Sequence, residues 1–175
     1  MLCIATIDGI RYVGESGNQA GGQTLAAWGT PVTVIEQSAL LPYSDQAMFD
    51  LVNDIESYPL FMDGCLGAEI ISRSADKVTA RLDLGKAGVT HSFSTCNYLH
   101  PPHAMEMELV NGPFQKFQAR WTFKALGPAA CKASLYMEFE FSMGFIDAAL
   151  KKIFTASGRN LVNAVCKRAE LIYGK

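Results

Sequence analysis

Hydrophobic and polar residues alternate through three stretches of the second half of the chain. Phe117, Ala119, Trp121, Phe123 and Ala125 interleave with Gln118, Arg120, Thr122 and Lys124. Leu135, Met137, Phe139 and Phe141 interleave with Tyr136, Glu138 and Glu140, and Met105, Met107 and Leu109 with Glu106 and Glu108. Successive side chains of a strand point to opposite faces, so each stretch predicts a strand with one apolar and one solvated face. Together they predict an antiparallel sheet that needs a cover on one side. The period then changes. Ile146, Ala149, Leu150, Ile153, Phe154, Leu161, Val162, Val165, Ala169 and Ile172 fall mostly at three- and four-residue steps, with Lys151, Lys152, Arg159, Lys167 and Arg168 off that stripe. This predicts one amphipathic helix from about Gly144 to Tyr173, roughly 45 Å long and able to lie across the sheet as its cover.

Upstream, Val32–Leu41 is rich in β-branched and aliphatic residues and stops at Pro42, which predicts the first strand of the domain. Ser44 stands at an N-cap before Ala47, Met48, Leu51, Val52 and Ile55, predicting a helix over 45–54. Tyr58-Pro59 ends it, and Leu60-Phe61-Met62 predicts one further helical turn before Gly64. Ala68–Arg73 and Lys77–Leu84 flank the hairpin-length Ser74-Ala75-Asp76. Val89–Leu99 runs into a Pro101-Pro102 turn, and Ala104–Val110 ends at Asn111-Gly112-Pro113. The fold class is therefore α+β in a helix-grip arrangement. A curved antiparallel sheet of about six to seven strands wraps the long terminal helix, with two short helices after strand one. Where facing residues do not fill the space between sheet and helix, such a fold leaves a cavity. From Gly14 to Gly29 the chain is rich in Gly, Gln, Ser and Asn without periodicity, so residues 1–30 read as a flexible leader and 31–175 as the domain.

Composition narrows the function. A chain of 175 residues with 49% hydrophobic and 18% charged residues has the size of one globular domain. Its formal net charge of −2 argues against a dedicated nucleic-acid binder, DNA included, and leaves RNA contact to a local patch. No apolar run reaches the roughly 18–20 residues of a membrane span, and the N-terminus has no basic start for a secretory signal, so the expected location is the cytoplasm. The five cysteines are odd in number and never form Cys-x-x-Cys, which points to buried free thiols rather than disulfides or zinc. His100 and His103 flank a Pro-Pro turn with no third ligand near them in sequence, so no metal is expected there. His91 reads as a hydrogen-bonded wall residue and Glu138 and Glu140 as a solvated cross-strand charge pair. Nucleophile-elbow, phosphate-loop and metalloprotease motifs are missing, and the expectation is a non-enzyme that requires no cofactor.

Several motifs in order carry a family resemblance. They are Ala39-Leu40-Leu41-Pro42-Tyr43-Ser44, the stretch Leu51 to Phe61 containing Asn53-Asp54-Ile55-Glu56-Ser57-Tyr58-Pro59, Gly64-Cys65, Lys86-Ala87-Gly88, Val110-Asn111-Gly112-Pro113-Phe114, Trp121-Thr122-Phe123 and Phe139-Glu140-Phe141. From Val32 to Lys175 the chain resembles the coenzyme Q-binding and RatA-type ribosome-association proteins of the START-like, polyketide cyclase/lipid transport superfamily. Met62-Asp63 and Asn111 depart from that family's common residues. The resemblance implies one of two activities. The first is binding of ubiquinone or another isoprenoid lipid in support of respiration, with peripheral contact at the inner membrane. The second is toxin-like association with the large ribosomal subunit that blocks subunit joining. A cyclase-type enzyme is a weaker alternative drawn from the superfamily alone.

Candidate site residues follow from both lines of reasoning. Tyr58, Pro59 and Phe61 form one expected lip of the cavity mouth, with Pro113 and Phe114 opposite. Phe93, Met107, Trp121, Phe123, Met137, Phe139, Ile153 and Phe154 supply the expected apolar wall, and the aromatic faces of the lips would stack on a quinone ring. Each of these also has a plain role as core packing. Lys151, Lys152, Arg159, Lys167 and Arg168 are either a solvated helix face or a basic stripe for ribosomal RNA or anionic lipid.

Overall fold

The computed structural model describes residues 4–6, 10–13, 32–86, 88–142 and 148–174, the first two segments by backbone only. Ten-residue strand β3 (Val32–Leu41) is the first long strand. It pairs antiparallel with β1 (Ile4–Thr6) and β2 (Ile10–Val13) on one side. The rest of the expected leader, and the expected helix start at residues 144–147, lie outside the described residues.

Ser44 caps helix α1 (Asp45–Asn53), its Oγ accepting a hydrogen bond from the Ala47 N–H at 3.2 Å. The second helical piece differs from the expected turn at Leu60–Met62. It is a 3-10 helix over Ile55–Leu60 that contains Pro59. Ile55 and Tyr58, three residues apart, stack on one side of a three-residue turn, and both are buried. The Tyr58 hydroxyl donates to the Val52 carbonyl at 2.7 Å, and the Tyr58 carbonyl closes the end by accepting from Phe61 and Met62.

A meander follows: β4 (Cys65–Arg73), β5 (Lys77–Lys86), β6 (Val89–His100), β7 (Ala104–Asn111), β8 (Phe114–Gly127) and β9 (Ala130–Phe141). Every pairing is antiparallel, and β9 returns to pair with β3, giving the order β1-β3-β9-β8-β7-β6-β5-β4. Seven long strands, β3 to β9, form an open antiparallel sheet that β1 and β2 extend beyond the β3 edge. Its register breaks between Ser94 and Thr95 of β6, and between Phe114 and Lys116 of β8. The second irregularity leaves Gln115 and Lys116 exposed side by side and turns Phe114 inward three residues before Phe117.

Helix α2 (Ala148–Tyr173) lies against the inner face of the sheet and buries Leu150, Phe154, Leu161, Val162, Val165 and Ala169. It sits close because position 158 is glycine: a Cβ there would come within 3.0 Å of Ile35 Cδ1 and 3.5 Å of Met137 Sδ. At its far end the Tyr173 hydroxyl donates to the Ala47 carbonyl at 2.9 Å, tying α2 to α1. On the opposite face of the sheet Glu138 accepts from Lys116, Gln118 and Tyr136. Lys116, foremost among these, holds the Glu138 carboxyl below its usual range. No helix among the described residues is long and apolar enough to cross a membrane.

Candidate functional site

Between the middle of α2 and strands β5 to β9 lies an interior cavity of about 50 Å³. Ile55, Tyr58 and Met62 bound it from the 3-10 helix and the turn after it, and Ser157, Gly158 and Leu161 bound it from α2. The sheet contributes apolar groups, among them Ala80, Leu82, Leu84, Met107, Trp121 and Met137, and one polar pair, Thr95 and Asn97. None of its lining side chains carries a formal charge.

The polar groups at the cavity are tightly placed. Thr95 Oγ1 donates to Asn97 Oδ1 at 2.8 Å, and both residues are buried. Ser157 Oγ donates to the Asp63 carbonyl at 2.8 Å, which clasps α2 to the turn before β4. Gly64 follows in the left-handed region at φ +81°, and a Cβ there would come within 3.0 Å of Ser157 Oγ. Only glycine holds this turn at that spacing without strain. Burial, with Cys65 and Asp54 adding to it, raises the Tyr58 hydroxyl well above the usual phenol range.

Of the expected ligand-binding residues, Tyr58, Phe93, Met107, Trp121, Met137 and Phe154 meet at this cavity. The others go elsewhere, so the expected aromatic wall is in part solid core. Phe114 and Phe139 enclose Phe154, each with its ring centroid 4.7 Å away. Phe123 stacks parallel to Trp121 at 5.9 Å and meets Phe49 of α1 edge-on at 6.0 Å. Ile153 lies beside Gly64, and Pro59 is half-buried within the 3-10 helix. Pro113 is half-buried in the β7–β8 turn, where its carbonyl accepts from the Ser142 N–H. Of the two expected lips, only Tyr58 lines the cavity.

Phe61 lines a separate outer groove with Asp63, Asn160, Asn163 and Lys167. Met62, Ser157 and Leu161 line both this groove and the cavity, so they form the wall between them. Thr95, Asn97, Ser157 and Met62 escaped the sequence reading. A polar residue on an apolar strand face was the available signal for Thr95 and Asn97. For Ser157 and Met62 only the fold brings the signal.

The expected basic stripe divides. Lys151, Lys152 and Arg159 line a shallow groove along α2 with Thr155 and Asn160. Arg168 leaves this set: it is half-buried, its guanidinium carbon lies 5.9 Å from the Phe61 ring centroid, and its Nε is buried without a hydrogen-bond partner. At about 100° per residue the nine steps from Arg159 to Arg168 bring it to the opposite side of the helix. His91 is half-buried on the inner side of β6, and His103 Nδ1 lies 3.8 Å from Asp45 Oδ2 at the surface. Cys65, Cys131 and Cys166 are buried thiols, and burial pushes Cys65 and Cys131 up to about 11.

The same architecture recurs among known proteins. The Zhui aromatase/cyclase from Streptomyces sp. R1128 matches with a TM-score of 0.69 at 15% identity, over 79% of this chain and 94% of that one, a likeness of fold. The ribosome association toxin RatA of Vibrio cholerae is 42% identical over 141 residues, 81% of this chain and 98% of that protein. Coenzyme Q-binding protein COQ10 homolog B, mitochondrial, of Xenopus laevis is 24% identical over 143 residues, 79% of this chain and 59% of that protein. Residues 41–166 match the family described as polyketide cyclase/dehydrase and lipid transport. With that span and the RatA similarity together, the chain belongs to the polyketide cyclase/dehydrase and lipid transport family.

Proposed function

We propose that this chain is a non-enzymatic binding protein that holds an isoprenoid quinone or similar lipid between its sheet and α2, in the cytoplasm or peripherally at a membrane surface. The carrying observation is an uncharged, largely apolar cavity at the centre of the core. At about 50 Å³ it is far smaller than the roughly 300–1,000 Å³ of ordinary ligand pockets, so on this reading it widens to take up its ligand. Three of its wall residues, Met62, Met107 and Met137, are unbranched and readily change rotamer, which suits a space that must widen on uptake. The thin wall of Met62, Ser157 and Leu161 offers the shortest way in from the outer groove. Holding rather than transforming the ligand fits the lining, which supplies no carboxylate, imidazole or amine for proton transfer. The name of the Xenopus relative supports a quinone as the cargo.

Trp121 sits in the cavity wall and reports on it directly. In a Trp28→Phe background, titration with a short-chain ubiquinone is expected to quench Trp121 emission to a one-to-one end point. Unchanged emission at micromolar protein and ligand would remove the reading.

A second reading, association with the large ribosomal subunit, draws on the Lys151, Lys152 and Arg159 groove and on the name of the Vibrio relative. Its test is co-sedimentation with that subunit in a sucrose gradient. A phosphate-driven contact weakens steeply with salt, and the triple change of these residues to Gln abolishes it. Absence of co-sedimentation at every salt concentration would overturn this reading.

A further inference from the structure

Among the described residues that line the apolar cavity, the Asn97 amide is a side-chain donor with no hydrogen bond to the protein. Tyr58, Thr95 and Ser157 each spend a hydroxyl hydrogen inside the protein: on the Val52 carbonyl at 2.7 Å, on Asn97 Oδ1 at 2.8 Å and on the Asp63 carbonyl at 2.8 Å. Asn97 differs. Its one side-chain hydrogen bond among the described residues is the one that Oδ1 accepts, which leaves both hydrogens of its amide nitrogen for the cavity it lines. The residue is 3% exposed, so bulk solvent does not satisfy them. An interior donor that meets no acceptor costs on the order of 1–3 kcal/mol, and an apolar side chain in this place would avoid that cost.

The fold holds this donor firmly. Asn97 sits in the middle of β6, paired with Val78 of β5 on one side and Met107 of β7 on the other. Thr95, two residues earlier on the same face, clamps Oδ1 and so orients the amide. Around it the wall is apolar and uncharged. An ionised carboxylate or phosphate brought here would lose its hydration and meet no cation in return, a penalty that excludes fatty acids and phospholipid headgroups from this point. A neutral oxygen acceptor meets two N–H groups at no such penalty.

We propose that the Thr95–Asn97 pair is the recognition point of the cavity, where the Asn97 amide donates to a carbonyl or ether oxygen on an otherwise apolar, uncharged ring. This rests on the cavity being a ligand site and adds to it the chemical class of ligand: quinones, ketones and alkoxy-aromatics rather than lipid acids. Thr95 is a positioning residue in this scheme, since it acts through the amide that it orients.

Three probes of one shape separate the possibilities: 1,4-naphthoquinone, naphthalene and 1-naphthoate, each titrated into the full chain by calorimetry. The unmodified protein is expected to bind the quinone about tenfold more tightly than naphthalene, the worth of one well-placed hydrogen bond, and to reject the naphthoate. Asn97→Leu is expected to erase the preference by weakening the quinone while naphthalene binds as well or better. The double change Thr95→Val with Asn97→Leu removes both partners together, keeps the shape, and is expected to give the same loss with an undiminished urea midpoint. A quinone preference that survives in the folded double variant overturns the anchor while the cavity stands as a ligand site. Tight naphthoate binding overturns the assigned ligand class. Failure of all three probes to bind the unmodified protein overturns the cavity reading itself, and the anchor with it.

Discussion

Two ends of the space beneath α2 are built differently. Near the helix start, Phe154 is enclosed by the rings of Phe93, Phe114, Phe117, Phe139 and Phe141, with centroids 4.7–6.1 Å away. One turn on, Ser157 and Gly158 face the same sheet, and the interior opens into the cavity. The helix and strands are continuous across both ends, so the difference comes from side-chain volume at successive helix positions. Stability is concentrated at the filled end, where tight packing returns the most dispersion and apolar burial. The open end gives up some of that stability.

That contrast is sharpest at Phe154. Phe154→Ala is expected to lower the unfolding free energy by about 3–5 kcal/mol, read as a fall in urea midpoint at unchanged slope. A loss below about 1 kcal/mol would mean that the aromatic cluster is not the stability centre. At the open end the sign reverses. Ala80→Val adds two methyl groups to a β-strand position on the cavity wall and is expected to raise stability by about 0.5–2 kcal/mol while abolishing quinone quenching of Trp121. Retained quenching in that variant would place the ligand elsewhere.

The buried thiols give a pH test of the closed core. Burial raises Cys65 and Cys131 from 9.0 to about 11, so their contribution is complete below the unfolded value and is lost as pH climbs through about 11. The urea midpoint is therefore expected to decline between these two values, with both thiols slow toward a thiol reagent until urea is added. Flat stability across that range would contradict the burial. The smallest effect belongs to the solvated face. Lys116→Ala is expected to cost only about 0.2–1 kcal/mol, because Lys116 and Glu138 pair at the surface. Since the Glu138 carboxyl is held low, its contribution is present above the normal carboxylate range and fades as pH falls through its lowered value.

Much of this could be read from residue order. The alternation from Phe117 to Phe123 matches the inner and outer positions of β8, while Ala125, expected inside, is exposed. The stripe of α2 from Leu150 to Ala169 is likewise buried as spaced. These patterns are legible because they repeat at the period of the backbone itself. Phe114 was harder. Its inward orientation depends on a bulge at Gln115 and Lys116, which breaks the two-residue period and has no local signature in those side chains. Arg168 was misassigned with the other basic residues because its partner ring, Phe61, comes from a segment more than a hundred residues earlier. The candidate site was legible in about a third of its residues: Tyr58, Phe93, Met107, Trp121, Met137 and Phe154 stood out, while Met62, Phe117 and the polar positions did not.

Local chemistry settled the helix-grip elements, their order and the two faces of each strand, since strand and helix periods are properties of the chain. Packing in three dimensions settled which aromatic rings close into solid core, where the cavity remains, and that Thr95 and Asn97 line it. Those outcomes turn on volumes and hydrogen-bond partners drawn from strands, 3-10 helix and α2 together, which no single stretch of the chain contains.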